Sequence, residues 1–310
     1  MNLLFCGTPQ FAVPTLRKLI DAGHTVSLIV TQPDKPRGRG LDFAFSPVKQ
    51  KALDLGLAVT QPEKIRNNED FRAQLTRLNP EAIVVVGYGR IIPQWMIDLP
   101  PLGNLNLHAS LLPRYRGAAP IQWAIASGET VTGVTTMRIN AGLDTGDILL
   151  QAETPILAED TAETLSPRLA QIGAELMVET LEKLRRGTIV PRPQDHCKAT
   201  LAPILKKQDG HIDFQRTATE IWNRWRGFQP WPGAYTSFRG KQLQVHAAKP
   251  LPSMSKLEPG TVVGDPEGLI VGCGSGTALA ITELQLEGKK RTSARDFLHG
   301  YRLEPGERLG

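Results

Sequence analysis

Cysteine is scarce in this sequence: only Cys6, Cys197 and Cys273 occur among 310 residues. Their number is odd, they stand far apart, and their spacing is not that of a metal site or a disulfide framework. Free thiols are typical of proteins in a reducing compartment. We therefore expect a cytoplasmic protein that holds no metal.

Long apolar runs and nucleotide-binding motifs are also lacking. No stretch of about 18 apolar residues could cross a membrane, and the opening MNLLFCG lacks the basic start and long apolar segment of a signal peptide. Gly7-Thr8-Pro9 follows the first predicted strand in place of G-x-G-x-x-G, and Pro9 has no N–H to offer a pyrophosphate. Because a Walker motif is missing as well, the sequence argues against dinucleotides and ATP.

Excess positive charge is confined to the last two fifths of the chain. Residues 1–189 carry 19 Lys and Arg against 19 Asp and Glu, whereas residues 190–310 carry 17 against 12. A basic region is typical of proteins that bind a polyanion, although an ordinary solvated surface gives a similar count. The charge therefore favours a nucleic acid as a partner of the second part without requiring one.

What is present in the first part is a regular alternation of strand and helix patterns. Short apolar runs such as LLFCG, SLIV and AIVVV alternate with amphipathic segments, and a long helix is predicted over 160–186. Runs that are apolar on both faces suit strands covered by helices on two sides. The pattern predicts an α/β fold with a doubly wound, mostly parallel sheet, whose ligands bind near the carboxyl ends of the strands.

The second part has a different pattern. Residues 190–207 mix prolines with polar residues and show no periodicity, which is typical of a linker. One helix and then five or six short strands follow, which predicts a small β-barrel of the oligonucleotide-binding type. We therefore expect a catalytic domain over 1–189, a linker over 190–207 and a barrel domain over 208–310.

Polar side chains stand where this fold predicts a site. Asn106 and His108 lie two apart at the end of a strand, so they face the same side, and Asp144 lies just beyond the end of another strand. An amide and an imidazolium can hold the oxygen of a tetrahedral intermediate, and a carboxylate can orient the imidazole. Without a Ser or Cys nucleophile in an elbow, the set suggests direct acyl transfer to an amine. A hydrogen-bonded loop anchor explains an Asn–His pair equally well.

Longer motifs around these residues resemble the folate-dependent formyltransferases. The site motifs are NLH at 106–108, SLLPRYRGAAP at 110–120 and GLDTGD at 142–147. Further matching segments, collinear over nearly the whole chain, are FCGTPQFA at 5–12, TQPDKPRGRG at 31–40, SPVK at 46–49, VVVGYGRIIP at 84–93 and FQPWPGAY at 228–235.

The resemblance implies a reaction. The formyl donor would be 10-formyltetrahydrofolate, and the acceptor would be the α-amino group of methionyl initiator tRNA, as translation initiation requires. Asn106, His108 and Asp144 would be the catalytic residues. Asn106 and His108 would stabilise the oxyanion, while Asp144 would orient His108 and assist proton movement to the leaving nitrogen.

The resemblance also implies two binding sets. The folate would be held mainly by main-chain groups of the strand ends and of the loop after residue 108, namely Val86, Gly87, Tyr88, Gly89, Arg90, Ser110, Leu111, Leu112, Pro113, Ile139, Asn140 and Gly142. The tRNA would be reached by basic residues of an early loop, namely Lys35, Arg37 and Arg39, although a solvated surface loop explains Lys35 and Arg37 equally well. The basic charge of the second part adds Lys206 and Lys207 as candidates. Other cations, including Arg224 and Arg226, are further candidates for phosphate contacts.

One segment departs from the family pattern. The family usually has two basic residues and a Thr-Pro before SPVK, whereas this chain has Leu41-Asp42-Phe43-Ala44-Phe45. The change weakens the electrostatic contribution of the loop to phosphate binding. The phenylalanines could instead stack on an unpaired base.

Other functions fit parts of the pattern. The same catalytic residues could formylate a sugar-nucleotide amine or glycinamide ribonucleotide, or a hydrolase could cleave the formyl group. A tRNA-binding protein with a vestigial formyl site is the alternative outside the enzymes. The basic second part argues against a small acceptor, and the intact set of Asn106, His108 and Asp144 argues against a vestigial site. We expect a monomer.

Overall fold

The computed structural model describes residues 1–37, 42–251, 256–266 and 268–310. The chain divides into two compact units that alternate along the sequence. The first contains Met1–Pro120, Val131–Pro155 and Ser166–Pro203, and the second contains Ile121–Thr130, Ile156–Leu165 and Ile204–Gly310. Among the described residues, no helix combines the length and apolar character that crossing a membrane needs.

The first unit is built on a mixed sheet. Its strands are β1 (Asn2–Gly7), β2 (Thr25–Val30), β5 (Val59–Thr60), β6 (Ala82–Val86), β7 (Asn104–His108), β8 (Val131–Arg138) and β9 (Ile148–Pro155), in the spatial order β5-β2-β1-β6-β7-β8-β9. Pairing is parallel from β5 to β7 and antiparallel from β7 through β8 to β9. The predicted mostly parallel α/β sheet is confirmed.

The central strands of this sheet are buried along their length. Every residue of β6 is buried. In β1 only the first residue, Asn2, is partly exposed, and Leu3 to Gly7 are buried. The helices of the first part of the chain are α1 (Val13–Asp21), α2 (Pro47–Asp54), α3 (Glu69–Leu78), α4 (Gln94–Ile97), α5 (Pro120–Ala126) and α6 (Ala162–Arg185). Burial of a strand on both faces explains its unbroken apolar sequence.

A short antiparallel pair of strands occupies the region that sequence analysis treated as a basic loop. It consists of β3 (Lys35–Arg37) and β4 (Asp42–Ala44), with Lys35 paired to Ala44 and Arg37 to Asp42. The predicted tRNA-binding residue Arg39 and the atypical Leu41 lie outside the described residues. Before this hairpin, Asp34 pairs with Lys49 and accepts a hydrogen bond from Gln61 Nε2 at 2.9 Å.

The second unit contains an antiparallel sheet with a helix on either side of it in sequence. The helices are α7 (Ala218–Gly227) and α8 (Ala294–Gly300), and the strands are β10 (Ala234–Phe238), β11 (Lys241–Leu251), β12 (Val262–Asp265), β13 (Gly268–Cys273), β14 (Thr277–Leu286) and β15 (Thr292–Ser293). The hydrogen-bonded order is β10-β11-β14-β13-β12, with β15 on β14. The predicted small β domain after the α/β sheet is confirmed.

Two early segments belong to this second unit by their contacts. The ring of Trp123 in α5 packs edge-on against Phe228, with ring centroids 5.3 Å apart. Buried Arg226 donates hydrogen bonds to the carbonyl oxygens of Leu157 and Asp160 at 3.3 and 3.0 Å. Neither segment could have been assigned to the β domain from its place in the sequence.

Candidate active site

Strand β7 carries two of the predicted catalytic residues. Asn106 and His108 stand two residues apart and so lie on one face of the sheet. Asn106 is half-buried and His108 is only 6 % exposed. Because β6 and β7 are parallel neighbours, the end of β7 lies beside the segment that follows Val86.

Asp144 reaches the same place by a different route. Strand β8 runs antiparallel to β7, with Arg138 opposite Leu105, so β8 ends at the amino end of β7. The following loop then returns along β7 and brings Asp144 to Asn106. The backbone of Asp144 is left-handed, with φ of 49°, which is an uncommon conformation for a residue other than glycine.

The three predicted catalytic side chains are brought together. Asn106 Nδ2 lies 3.5 Å from Asp144 Oδ1, and His108 Nδ1 lies 3.7 Å from Asp144 Oδ2. The second distance is too long for a hydrogen bond but within ion-pair range when the imidazole is protonated. The Asp144 carboxylate is therefore the common neighbour of the amide and the imidazole.

A backbone carbonyl fixes the His108 ring. His108 Nε2 lies 2.8 Å from the carbonyl oxygen of Tyr115. Since a carbonyl can only accept, Nε2 must carry a hydrogen, and Nδ1 is the nitrogen left facing Asp144. The expectation that Asp144 orients the ring therefore needs a second partner, the Tyr115 carbonyl, which the sequence did not indicate.

The loop after β7 holds both the ring and the carboxylate. The Gly117 N–H donates to Asp144 Oδ2 at 2.8 Å, and the Tyr115 N–H donates to Thr200 Oγ1 at 2.8 Å. Tyr115 has a left-handed backbone with φ of 60°. Such conformations cost free energy and persist where the surroundings fix them, often at functional sites. These roles could not be predicted from the sequence, because main-chain groups leave no trace in side-chain patterns.

Residues 191–203 pair with other segments of the first unit at two points. Arg192 forms an antiparallel bridge with Ile148, and Leu201 forms a parallel bridge with Arg116. The segment thus contacts both the strand after the Asp144 loop and the loop after β7. A sequence without periodicity gave no sign of this pairing.

The predicted folate set is mixed in exposure. The side chains of Val86, Tyr88, Ser110 and Leu112 are buried, whereas Gly87, Gly89, Asn140 and Gly142 are exposed, and the remainder (Arg90, Leu111, Pro113 and Ile139) are half-buried. Ile139 packs against the hydrophobic cluster that contains Val85 and Tyr88, so the two predicted folate segments share a core. Burial raises the pKa of the Tyr88 hydroxyl. Exposed main-chain groups at glycine suit a ligand read through the backbone.

The predicted tRNA-binding residues occupy two separate regions. Lys35 and Arg37 belong to β3, and Lys206 and Lys207 are exposed at the start of the last segment of the second unit. Arg226 is a correction: its guanidinium is buried and hydrogen-bonded to carbonyl oxygens, so it cannot contact phosphate. Phe45 is exposed, and Lys49 Nζ lies 4.0 Å from the centre of its ring.

Within residues 1–37, 42–251, 256–266 and 268–310, no group of three or more His, Cys, Asp or Glu side chains is arranged to hold a metal ion. The site offers an amide, an imidazole, a carboxylate and a main-chain donor. Such groups can stabilise an oxyanion and transfer protons.

Two family models match consecutive stretches of the chain. A model described as "Formyl transferase" matches residues 1–181, and one described as "Formyl transferase, C-terminal domain" matches residues 204–302. The chain belongs to the formyl transferase family. The family resemblance deduced from the sequence motifs is confirmed.

Relatives within the family match the chain over its full length. A protein from Koribacter versatilis named methionyl-tRNA formyltransferase is 66% identical over 310 residues, which is 100% of this chain and 99% of the relative. One of the same name from Acidobacterium capsulatum is 61% identical and covers 100% of both chains.

Solved structures of family members share the fold. An N-formyltransferase from Helicobacter canadensis, in complex with folinic acid and dTDP-3-aminofucose, has a TM-score of 0.66 and 18% identity, covering 90% of this chain and 98% of that one. Glycinamide ribonucleotide transformylase 1 from Symbiobacterium toebii has a TM-score of 0.51 and 23% identity, covering 63% and 94%. At such identities the likeness concerns the fold alone.

Proposed function

We propose that this formyl transferase moves the formyl group of 10-formyltetrahydrofolate to the α-amino group of methionyl initiator tRNA. The observation that carries the proposal is that the side chains of Asn106 and His108 both lie in contact with that of Asp144. They do so in a chain that is similar over its full length to relatives named methionyl-tRNA formyltransferase. The folate supplies an activated formyl carbon and a leaving nitrogen. The product would serve translation initiation.

The residues divide the chemistry as follows. The amine attacks the formyl carbon, so a new C–N bond forms, the bond to the folate nitrogen breaks, and the amine proton passes to that nitrogen. Asn106 Nδ2 donates to the oxyanion, and His108 in its imidazolium form donates from Nδ1 while Nε2 stays bonded to the Tyr115 carbonyl. Asp144, which lies next to both side chains, accepts the proton from the amine and passes it to the folate nitrogen.

The features that favour a tRNA acceptor extend over the whole chain. Relatives named methionyl-tRNA formyltransferase match at 61 to 66% identity, whereas the sugar formyltransferases are similar in fold at about one fifth identity. The basic charge of residues 190–310 suits a polyanionic acceptor. Lys35, Arg37, Arg39, Lys206 and Lys207 are the cations proposed to contact it.

The folate is proposed to lie against exposed backbone rather than in a cage of side chains. Gly87, Gly89, Asn140 and Gly142 are the accessible members of the predicted set. Gly87 and Gly89 have φ of 56° and 73°, which glycine adopts without strain, so their peptide groups can point where an ordinary residue would not place them. Exposed peptide groups of this kind can hydrogen-bond to a bound folate.

Single-turnover transfer tests the proposal directly. The enzyme is mixed with 10-formyltetrahydrofolate, methionyl initiator tRNA and an equal amount of a UDP-amino sugar, and the formylated products are separated. We expect formyl-methionyl-tRNA alone. Formyl-amino sugar as the main product would reassign the acceptor, and formate as the main product would make the protein a hydrolase.

Replacement of the imidazole tests the catalytic assignment. His108→Ala should lower the transfer rate at least about 100-fold, because an oxyanion donor and acid–base group is lost. Affinity for tRNA should change little. His246→Ala, which removes a half-buried imidazole of the β domain bonded to Gln285, is the matched control and should keep the wild-type rate. A fully active His108→Ala enzyme would refute the assignment.

We further propose that the protein acts as a cytoplasmic monomer. Its cysteines are free, and Cys6 and Cys273 are buried, which suits a reducing compartment. Burial raises the pKa of the Cys273 thiol to about 12, so it stays protonated and unreactive. Sedimentation at micromolar concentration should give a mass near the 34.0 kDa of one chain.

A further inference from the structure

Gln194 lies between the two loops that hold the catalytic residues. Its side chain is only 6 % exposed. Gln194 Oε1 accepts hydrogen bonds from Arg116 Nε at 3.0 Å and from Arg116 Nη2 at 2.6 Å. This is a two-bond contact with a charged donor, which is stronger and more directional than a bond between neutral groups.

The nitrogen of the Gln194 amide hydrogen-bonds to the Asp144 loop. Gln194 Nε2 donates to the carbonyl oxygen of Asp144 at 2.8 Å and to that of Gly146 at 2.7 Å. An amide has two N–H donors and an oxygen with two lone pairs, and all four are used here. The orientation of the amide is thereby assigned, since reversing it would set its oxygen against two carbonyl oxygens.

The partners of Gln194 are neighbours in the chain of the groups that hold the catalytic side chains. Arg116 stands between Tyr115, whose carbonyl holds His108, and Gly117, whose N–H holds the Asp144 carboxylate. Gln194 therefore ties the loop that fixes the imidazole to the backbone of the residue that carries the carboxylate. Its removal would free the left-handed backbone of Asp144 on one side while leaving its carboxylate held on the other.

We infer that Gln194 is a positioning residue for formyl transfer, which sets the Asp144 carboxylate relative to His108 through the backbone of Asp144. The inference rests on the proposed function. It assigns a role in the reaction to the segment after residue 189, outside the residues that the first family model matches. Gln194 touches neither reacting group itself.

Two variants of Gln194 separate its contacts. Gln194→Glu keeps oxygen acceptors for Arg116 but replaces the amide donor by an oxygen that faces the carbonyls of Asp144 and Gly146. Gln194→Met is similar in length and removes both sets of bonds. We expect both variants to lower kcat by about 10- to 100-fold, as misplacement of a catalytic group by about 1 Å does. KM for tRNA should stay within about threefold of the wild type.

Asn104 supplies the matched control. It is 1 % exposed, and its Nδ2 donates to the carbonyl oxygens of Met96 and Ile97 at 2.9 and 3.0 Å. Asn104→Leu therefore removes a buried amide of the first unit whose two carbonyl partners lie outside the Asp144 loop. This variant should lower the unfolding temperature while keeping kcat within about twofold.

The outcomes decide between a positioning role and a structural one. A second readout is the imidazole NMR signal of His108, identified by its loss in His108→Ala and followed through a pH titration, which needs no acceptor. We expect the titration midpoint to move in both Gln194 variants and not in Asn104→Leu. Folded Gln194 variants with wild-type kcat and an unmoved midpoint would overturn the inference. The inference would also be overturned if both Gln194 variants unfolded while Asn104→Leu stayed folded.

Failure of the proposed function would look different. In that case the wild-type enzyme itself would not formylate methionyl-tRNA, and the comparison of variants would move to the acceptor that is formylated. The shift of the His108 midpoint in the Gln194 variants would still stand or fall on its own.

Discussion

Gly117 shows how the site depends on a residue that contributes no side chain. Its φ is 118°, and a Cβ at this position would lie 2.7 Å from the carbonyl oxygen of Ala202. At the same time its N–H holds Asp144 Oδ2. Glycine is needed here for both conformation and space.

Gly117→Ala should therefore destabilise the protein and slow the reaction. The left-handed backbone alone costs about 1–2 kcal/mol for a residue with a Cβ, and displacement of the N–H should lower kcat by about 10-fold or more. Gly56→Ala is the control, because Gly56 also has a positive φ, of 67°, but open space around it. It should lower the free energy of unfolding by a similar conformational amount and leave kcat alone. Equal kcat in both variants would mean that the Gly117 N–H does not matter.

Glu307 is a residue whose charge state should contribute to the acid stability of the second unit. Its carboxylate accepts from Arg239 Nε at 2.6 Å and Nη2 at 2.9 Å, and its side chain is 11% exposed. The hydrogen bonds from Arg239 hold the pKa of Glu307 below its usual range. A carboxylate with a lowered folded pKa contributes stability above its unfolded pKa of about 4.3 and loses it as the pH falls through the folded pKa.

Glu307→Gln should lower the free energy of unfolding by about 1 kcal/mol at pH 7. The difference from the wild type should shrink below about pH 4, because the wild-type carboxyl is then protonated as well. Urea denaturation at several pH values measures this. Glu283→Gln, in an exposed pair with Arg291, should have little effect at any pH. A difference for Glu307→Gln that is independent of pH would show that packing, rather than charge, explains it.

At the scale of elements, sequence patterns predicted the helices and strands whose type follows from burial. They did not predict which strands and segments pair with each other. The unbroken apolar run of β6 indicated a strand and the amphipathic pattern of α3 indicated a helix. Both were correct, because buried positions recur at the spacing of the element. The hairpin of β3 and β4 and the bridge between Leu201 and Arg116 carry no such repeat. Asp144 was found from its motif, but the antiparallel path that brings it to Asn106 was not.

Helix α7 begins with a reciprocal cap that can be tested alone. Thr217 Oγ1 accepts from the Glu220 N–H at 3.3 Å, and Glu220 Oε2 accepts from the Thr217 N–H at 2.8 Å. Thr217→Ala should lower the free energy of unfolding by about 1 kcal/mol, measured by chemical denaturation. Thr217→Ser keeps the hydroxyl and should lose much less. If both variants lose the same amount, the methyl group rather than the cap stabilises this end.

At the scale of the whole molecule, the asymmetric charge predicts how tRNA binding responds to salt. Each phosphate contact contributes to the slope of log affinity against log salt concentration. Lys206→Gln with Lys207→Gln should make that slope shallower by about one to two. Lys64→Gln with Arg77→Gln removes the same charge from exposed positions of the first unit and is the control. Equal slopes in the two double variants would remove Lys206 and Lys207 from the tRNA contact.

Fold class and family followed from the sequence, whereas the division into units did not. The domain boundaries at 189 and 207 stay a prediction, and the compact units do not follow a linear order. Trp123 and Asp160 lie in segments whose sequences suit either unit, so only their contacts with Phe228 and Arg226 assign them. Likewise Gln194 stands in a segment without periodicity, and nothing in its neighbours indicates a partner.

The alternation of the units along the chain has a consequence for biosynthesis. Residues 121–130 and 156–165 leave the ribosome before the rest of their unit, which starts at residue 204. At about 5–20 residues per second, several seconds pass between the synthesis of these two segments and the synthesis of their partners Phe228 and Arg226. The first unit, in turn, lacks Gln194 and Thr200 until residue 203 has been made. In the nascent chain, Trp123 therefore lacks its ring partner until residue 228 has been made, and the site is incomplete until Thr200 has been made.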